Sequence, residues 1–160
     1  MNSVFTYRLC DEGDCRTWVE LNREFMAGEM EDGELWDHAD QVSDEKFAET
    51  FHQALAAKEM IHLLLFEEDE KPVGFANLMQ IFSVWSHGFA LVIDDLYLRE
   101  NCRGKGYGRK AMDMIEAYAC SLNCRRLQFQ SELTNPDAMK FYMAVGYQPA
   151  DMKFYVKYLK

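Results

Sequence analysis

The chain has 160 residues, 49% of them hydrophobic and 28% charged, which predicts one folded domain over 1–160 with material for a full core. No basic leader precedes an apolar run and no stretch reaches 18 apolar residues, so neither secretion nor a membrane span is expected, and the cytoplasm is the default compartment. The formal net charge of −10 divides unevenly: residues 1–70 hold 19 acidic and 5 basic side chains, a net of −14, against +4 for the rest, which disfavours nucleic acid as a partner and suits a cationic one.

In chain order, Val4 to Leu9 reads as a first strand. From about Asp14, Trp18, Leu21 and Phe25 recur at helical spacing and predict an amphipathic helix. The stretch from Gly28 to Asp40 is acidic and punctuated by glycine, and reads as a loop or short helix. Ser43 or Asp44 can cap a second helix whose apolar face is Phe47, Phe51 and Leu55. The period then changes. Ile61 to Phe66 and Val73 to Ile81 are extended apolar runs on either side of a turn, and together they predict a hairpin. Phe89 to Leu98 continues as a strand, and a helix follows from about Gly108 to Leu122 with Met112, Ile115 and Ala119 on one face. Leu127 to Leu133 is another strand. Asn135-Pro136 opens a helix that runs to Val145 and stops at Gly146, and Met152 to Leu159 closes the chain as a strand. That order predicts an α/β domain with a mixed sheet.

Five cysteines, none in a CxxC pair, and four scattered histidines give no ligand spacing, so no metal is expected. The chemical signal lies in the glycine loop "RENCRGKGYGRK". Glycines admit positive φ and let a ligand approach the backbone, and the free N–H groups of a helix start form an anion cradle. Arg99, Arg103, Lys105, Arg109 and Lys110 stand there against Glu100 alone, so a phosphate or pyrophosphate is the natural guest. A nucleotide P-loop is excluded because Gly106 and Tyr107 follow Lys105 where a lysine-hydroxyl pair is required. The spacing of Gly104, Gly106 and Gly108 also fails the dinucleotide fingerprint.

The run Arg103-Gly104-x-Gly106-x-Gly108, after a strand ending in Leu96-Tyr97-Leu98, is followed by Asn135-Pro136-x-Ala138-x-x-Phe141-Tyr142-x-x-x-Gly146-Tyr147. The two motifs, in this order, resemble the GNAT superfamily of N-acetyltransferases. The resemblance implies a GNAT fold, a mixed and mostly antiparallel sheet flanked by helices on both faces, with acetyl-CoA as acetyl donor. It assigns the pyrophosphate to Arg103, Gly106 and Gly108, with Gly104, Lys105, Tyr107 and Arg109 of the same loop around it. The main chain of Leu96, Tyr97 and Leu98 would pair with the pantetheine arm, on a strand that carries a bulge in the family. Asn135 would hydrogen-bond that arm, and Tyr142 would protonate the departing thiolate.

The stretch "VIDDLYL" is similar to the polyamine and diamine branch, which makes Asp94 the expected ligand and candidate base for a substrate amine. Two positions depart from that branch. Asn101-Cys102 stands where an aromatic often precedes the arginine, and Asp94 where Glu is frequent. Adjacent strand residues point to opposite faces, so only one of Asp94 and Asp95 is expected to face the site, with Asp95 supporting structure. Glu29 and Trp36 could add cation recognition, although a solvated loop is the plainer reading of their segment. The expected partner is thus a small-molecule amine, neither nucleic acid nor membrane, and the family also implies a homodimer. A protein lysine or N-terminus, or an aminoglycoside, remains open as acceptor. A different class, an acyl-CoA-binding regulatory module without turnover, also stays open.

Overall fold

The computed structural model describes residues 2–29 (Glu29 by its backbone), 33–131 and 136–159. Strand β1 (Phe5–Leu9) leads through a short 3-10 turn into α1 (Cys15–Glu29), then α2 (Asp44–Ala56). Three long strands follow, β2 (Ile61–Glu68), β3 (Lys71–Ser83) and β4 (Gly88–Leu98). Then come α3 (Tyr107–Ser121), β5 (Arg126–Phe129) and α4 (Pro136–Ala144). The sheet order is β1-β2-β3-β4-β5, antiparallel up to β4 and parallel between β4 and β5. Helix α3 is the crossover that parallel pairing requires. Among the described residues, no helix is long and apolar enough to cross a membrane.

Helices cover both faces, and the alternation of β2 shows why that strand reads as an unbroken apolar run. Leu63 packs with Trp18, Val19 and Phe51 of α1 and α2, and Leu65 with Leu21. Leu64 and Phe66 point the other way, into a core completed by Ala111, Met112, Ile115 and Ala119 of α3. A strand buried on both faces has no polar side to show. Helix α2 starts where the sequence predicts, with the Ser43 hydroxyl accepting from the Lys46 N–H at 3.2 Å.

Besides a register shift at Phe66 and Glu67 between β2 and β3, the alternation breaks on β4. Leu96 opposes Ala76 and Ile93 opposes Leu78, and all four lie in the α3-side core. Three steps along β4 therefore match two along β3, with Asn77 paired to Asp95 and Asp94 left over. Asp94 is the extra residue of a β-bulge. Beyond Ile93, β4 also loses its other neighbour: pairing with β5 ends at Ile93 and Phe129, while β4 runs on to Leu98. Among the described residues, the sheet is thus open along one side of β4 from Asp94 onward.

Met152 to Leu159 does not form the closing strand expected from its alternation. The segment has no ladder partner, and Met152, Tyr155 and Leu159 are more than four-fifths exposed. A period-two pattern supplies a pleated face but not the backbone donors and acceptors that make it a strand.

Candidate active site

Five elements meet where β4 parts from β5. A cavity of about 140 Å³ is lined by Phe25 of α1, Asp94, Asp95 and Leu96 of β4, Met112 of α3, Phe129 and Gln130 beside β5, and Tyr142 of α4. It passes through the sheet at the opening that the bulge and the short β5 create. Both aspartates line it. Strand alternation predicts that only one of them faces the site; the bulge interrupts the alternation at Asp94, and both residues line the cleft.

The two carboxyls differ. Asp94 is solvent-exposed at the mouth of the cleft, and the partial burial around it raises its pKa. Asp95 sits deeper. Burial first, then the neighbouring Asp94 charge, push it up from 3.8 to about 6, partly opposed by a hydrogen bond from Asn77. That bond runs from Asn77 Nδ2–H to Asp95 Oδ2 at 2.8 Å. Tyr142 packs edge-on to Phe129, centroids 4.4 Å apart, and burial raises its pKa, so its phenol holds its proton at neutral pH.

The glycine loop lies past the end of β4. Gly104 and Gly106 adopt φ of +77° and +75°, and the space where each Cβ would stand is open. Gly106 is the N-cap of α3 and no side chain caps the helix, so its first-turn N–H groups are offered to a ligand. A cradle of this kind fits a pyrophosphate. The basic side chains around it are already sorted. Arg99 gives a two-pronged ion pair to Glu24 of α1, with bonds of 2.8 and 3.0 Å, which ties α1 to the end of β4. Lys105 reaches back to Glu68 at 3.0 Å, and the buried Tyr107 stacks on Phe5 at 4.3 Å and donates to the same carboxylate at 2.5 Å. Lys105 and Tyr107 thus contribute main chain to the loop while their side chains anchor it. Arg109 is exposed, and Arg103 lines a second cavity of about 610 Å³ with Glu24, Tyr97, Arg99 and Asn101.

At the same end of β4, Gly74 of β3 lies against Tyr97 and Leu98, and a Cβ on Gly74 would strike the Tyr97 carbonyl oxygen. Glycine there lets the strand that feeds the loop approach its neighbour.

A family model for the GNAT acetyltransferases matches residues 18–147. The chain belongs to the GNAT acetyltransferase family. An uncharacterized N-acetyltransferase, YhfO, of Bacillus subtilis is 30% identical over 108 residues, 68% of this chain and 72% of that protein. The thialysine N-epsilon-acetyltransferase of Bos taurus is 28% identical over 144 residues, 88% of this chain and 82% of that one. Among solved structures, the aminoglycoside N-acetyltransferase AAC(6')-Iy with a CoA bisubstrate analogue superposes at a TM-score of 0.75. It is 14% identical and the match covers 98% of this chain and all of that one, a likeness of fold. This GNAT chain is therefore an acyltransferase of the N-acetyltransferase type, and acetyl-CoA is the donor its family uses.

Of the expected site residues, Asp94, Leu96 and Tyr142 meet in one cleft, and Tyr97 and Arg103 line the neighbouring cavity. Trp36 lies elsewhere. Its indole packs on Phe154 at 5.7 Å, stays partly exposed, and lines neither cavity. Asn135 and the Glu29 side chain lie outside the described residues. No group of three or more metal-ligating side chains occurs among the described residues. Reading by motif missed Asp95 as a cleft residue, and with it Asn77. The available signal was a lone asparagine in the apolar run "VGFANLMQIF".

Proposed function

We propose that the chain transfers the acetyl group of acetyl-CoA to a primary amine on a small cationic molecule, of the diamine or aminoalkyl amino acid type. The observation that carries this reading is the pair of carboxylates, Asp94 and Asp95, opposite the Tyr142 phenol across one small cleft. An alkylammonium has a pKa near ~10, so it needs an anionic site to bind and a base to make it nucleophilic. Asp94, outermost, serves as the ammonium ligand and candidate base. The open main chain of β4 around Leu96 and Leu98 suits a pantetheine arm lying as an added strand, and the loop from Arg103 to Arg109, with its uncapped helix start, suits the pyrophosphate. As the nitrogen attacks the thioester carbonyl, the C–S bond breaks and the sulfur takes the phenolic proton of Tyr142. The amine named for the bovine relative, a lysine analogue with a terminal aminoethyl group, supports this acceptor class.

The test is thiol release from acetyl-CoA with a panel containing diamines, monoamines, thialysine, an aminoglycoside and a lysine peptide. Diamines and thialysine should lead, and Asp94→Asn should depress diamines more than monoamines. Preference for the peptide or the aminoglycoside would replace the acceptor class. Tight coenzyme binding with no release from any amine would make the chain a binding module.

A further inference from the structure

Behind the cleft, on the α1 side of the sheet, lies a chain of polar groups that the family motifs do not touch. Asn77 stands on β3 opposite Asp95, at the point where the register shifts. Its Oδ1 accepts from the indole N–H of Trp18 at 2.9 Å. Its Nδ2 donates to Asn22 Oδ1 at 3.1 Å and to Asp95 Oδ2 at 2.8 Å. Asn22 in turn donates to the Trp18 carbonyl oxygen at 2.8 Å. Trp18 and Asn22 are each 5% exposed, so these bonds are made away from water. The network admits one orientation of the Asn77 amide. Reversed, its NH2 would face the Trp18 N–H, and its oxygen would face both the Asp95 carboxylate and the Asn22 oxygen.

Polar groups in a core persist where something requires them, and the cheapest packing here would be apolar. What this network produces is a carboxylate with one oxygen held by Asn77, on a residue that lines the cleft one bulge position from Asp94. We propose that Asn77, locked by the Trp18 indole, is a positioning residue that holds Asp95 as the proton acceptor for the substrate ammonium. Resting on the amine-acetylation reading above, this divides the labour of the pair: Asp94 binds the ammonium and Asp95 takes its proton. The step balances simply. One N–H proton moves to the Asp95 carboxylate, leaving a neutral amine with its lone pair and a neutral carboxyl, which returns the proton to solvent after turnover.

Few charges complicate the titration of Asp95. On β4 the neighbour is Asp94, and from α4 the Tyr142 phenol faces the same cleft. On α1, Glu24 is paired with Arg99. The cleft residues from α3 and β5 are Met112, Phe129 and Gln130, which carry no charge. Removing the Asn77 donor therefore withdraws stabilisation from the ionised form and moves the Asp95 titration to higher pH.

The experiment has two readouts in the full chain. The first is the titration of the Asp95 side-chain carboxyl by carbon NMR, without substrate. The second is the acid limb of kcat/KM with the amine that the panel selects. In Asn77→Leu and in Trp18→Phe, which removes only the indole donor and keeps a ring in the core, both should move up by roughly one pH unit. In Asp95→Asn the acid limb should disappear. An Asp95 titration that stays where it is in a folded Trp18→Phe and Asn77→Leu would overturn the positioning role, whatever the acceptor proves to be. An acid limb that survives Asp95→Asn would transfer the base to Asp94. If no amine is acetylated, the acceptor reading fails, while the NMR titration still decides whether Asn77 and Trp18 control Asp95.

Discussion

Replacing Asp95 with asparagine should stabilise the folded chain at alkaline pH and not at acid pH. The folded environment moves the carboxyl from 3.8 to about 6. Between those values the folded chain keeps a proton that the unfolded chain has already lost. Stability therefore falls as pH rises through the window, and the full cost is present above it. Two pKa units correspond to ~3 kcal/mol held in the wild-type cleft at pH 8. Asparagine removes that cost, in which the opposing hydrogen bond from Asn77 is already counted, and its amide oxygen can still accept from Asn77. The gain of ~3 kcal/mol corresponds to a rise in Tm of roughly 6–12 °C for a domain of this size. At pH 4 the wild-type group is protonated, and the gain should vanish or reverse slightly. Thermal unfolding followed by circular dichroism at pH 8 and pH 4, without ligand, measures both differences. An equal shift at the two pH values would show that Asp95 carries no buried-charge cost, and no gain at pH 8 would refute the desolvation argument itself. Acetyl transfer should fall in the variant that gains stability, the trade expected where a site holds a charge away from water.

Tyr142→Phe should lower kcat by about a hundredfold or more while coenzyme affinity by calorimetric titration stays unchanged; an unaltered kcat would remove Tyr142 as the proton donor. Gly106→Val puts a β-branched side chain at φ +75°, at a cost of roughly 1–2 kcal/mol, and should weaken coenzyme binding along with stability. Gly104 and Gly106 differ from Gly74 in what an added Cβ meets. Gly74→Ala has no room at the Tyr97 carbonyl, so chemical denaturation should show a loss of about 1–3 kcal/mol, and a neutral result would mean that β3 and β4 can part there freely.

The helices and the long strands are legible in the sequence because their signals are local. Trp18, Leu21 and Phe25 repeat at helical spacing, Ser43 caps α2, and the change of period at Ile61 marks the sheet. The glycine loop is equally local: φ near +75° at Gly104 and Gly106 is a property that glycine alone adopts without strain. Together with the Asn135-to-Tyr147 motif, it was enough to point to the coenzyme and the family.

Other features depend on partners distant in the chain. Met152 to Leu159 has the alternation of a strand, but pairing requires a second backbone, and among the described residues the segment joins none. Trp36 reads as a candidate for a cationic substrate, and its contact with Phe154, 118 residues away, is a tertiary feature that the acidic segment does not encode. The bulge at Asp94 is set by the register between β3 and β4, which no single strand encodes, and it brings both aspartates into the cleft. Asn77 gains its meaning only when Trp18, 59 residues away, and Asp95, 18 residues away, close on its two ends. From its sequence alone, this chain's donor chemistry could be read, because an anion cradle is built from one loop and the helix it starts. The arrangement that faces the acceptor was decided by tertiary structure, because it is assembled from three strands and three helices that meet only where the sheet opens.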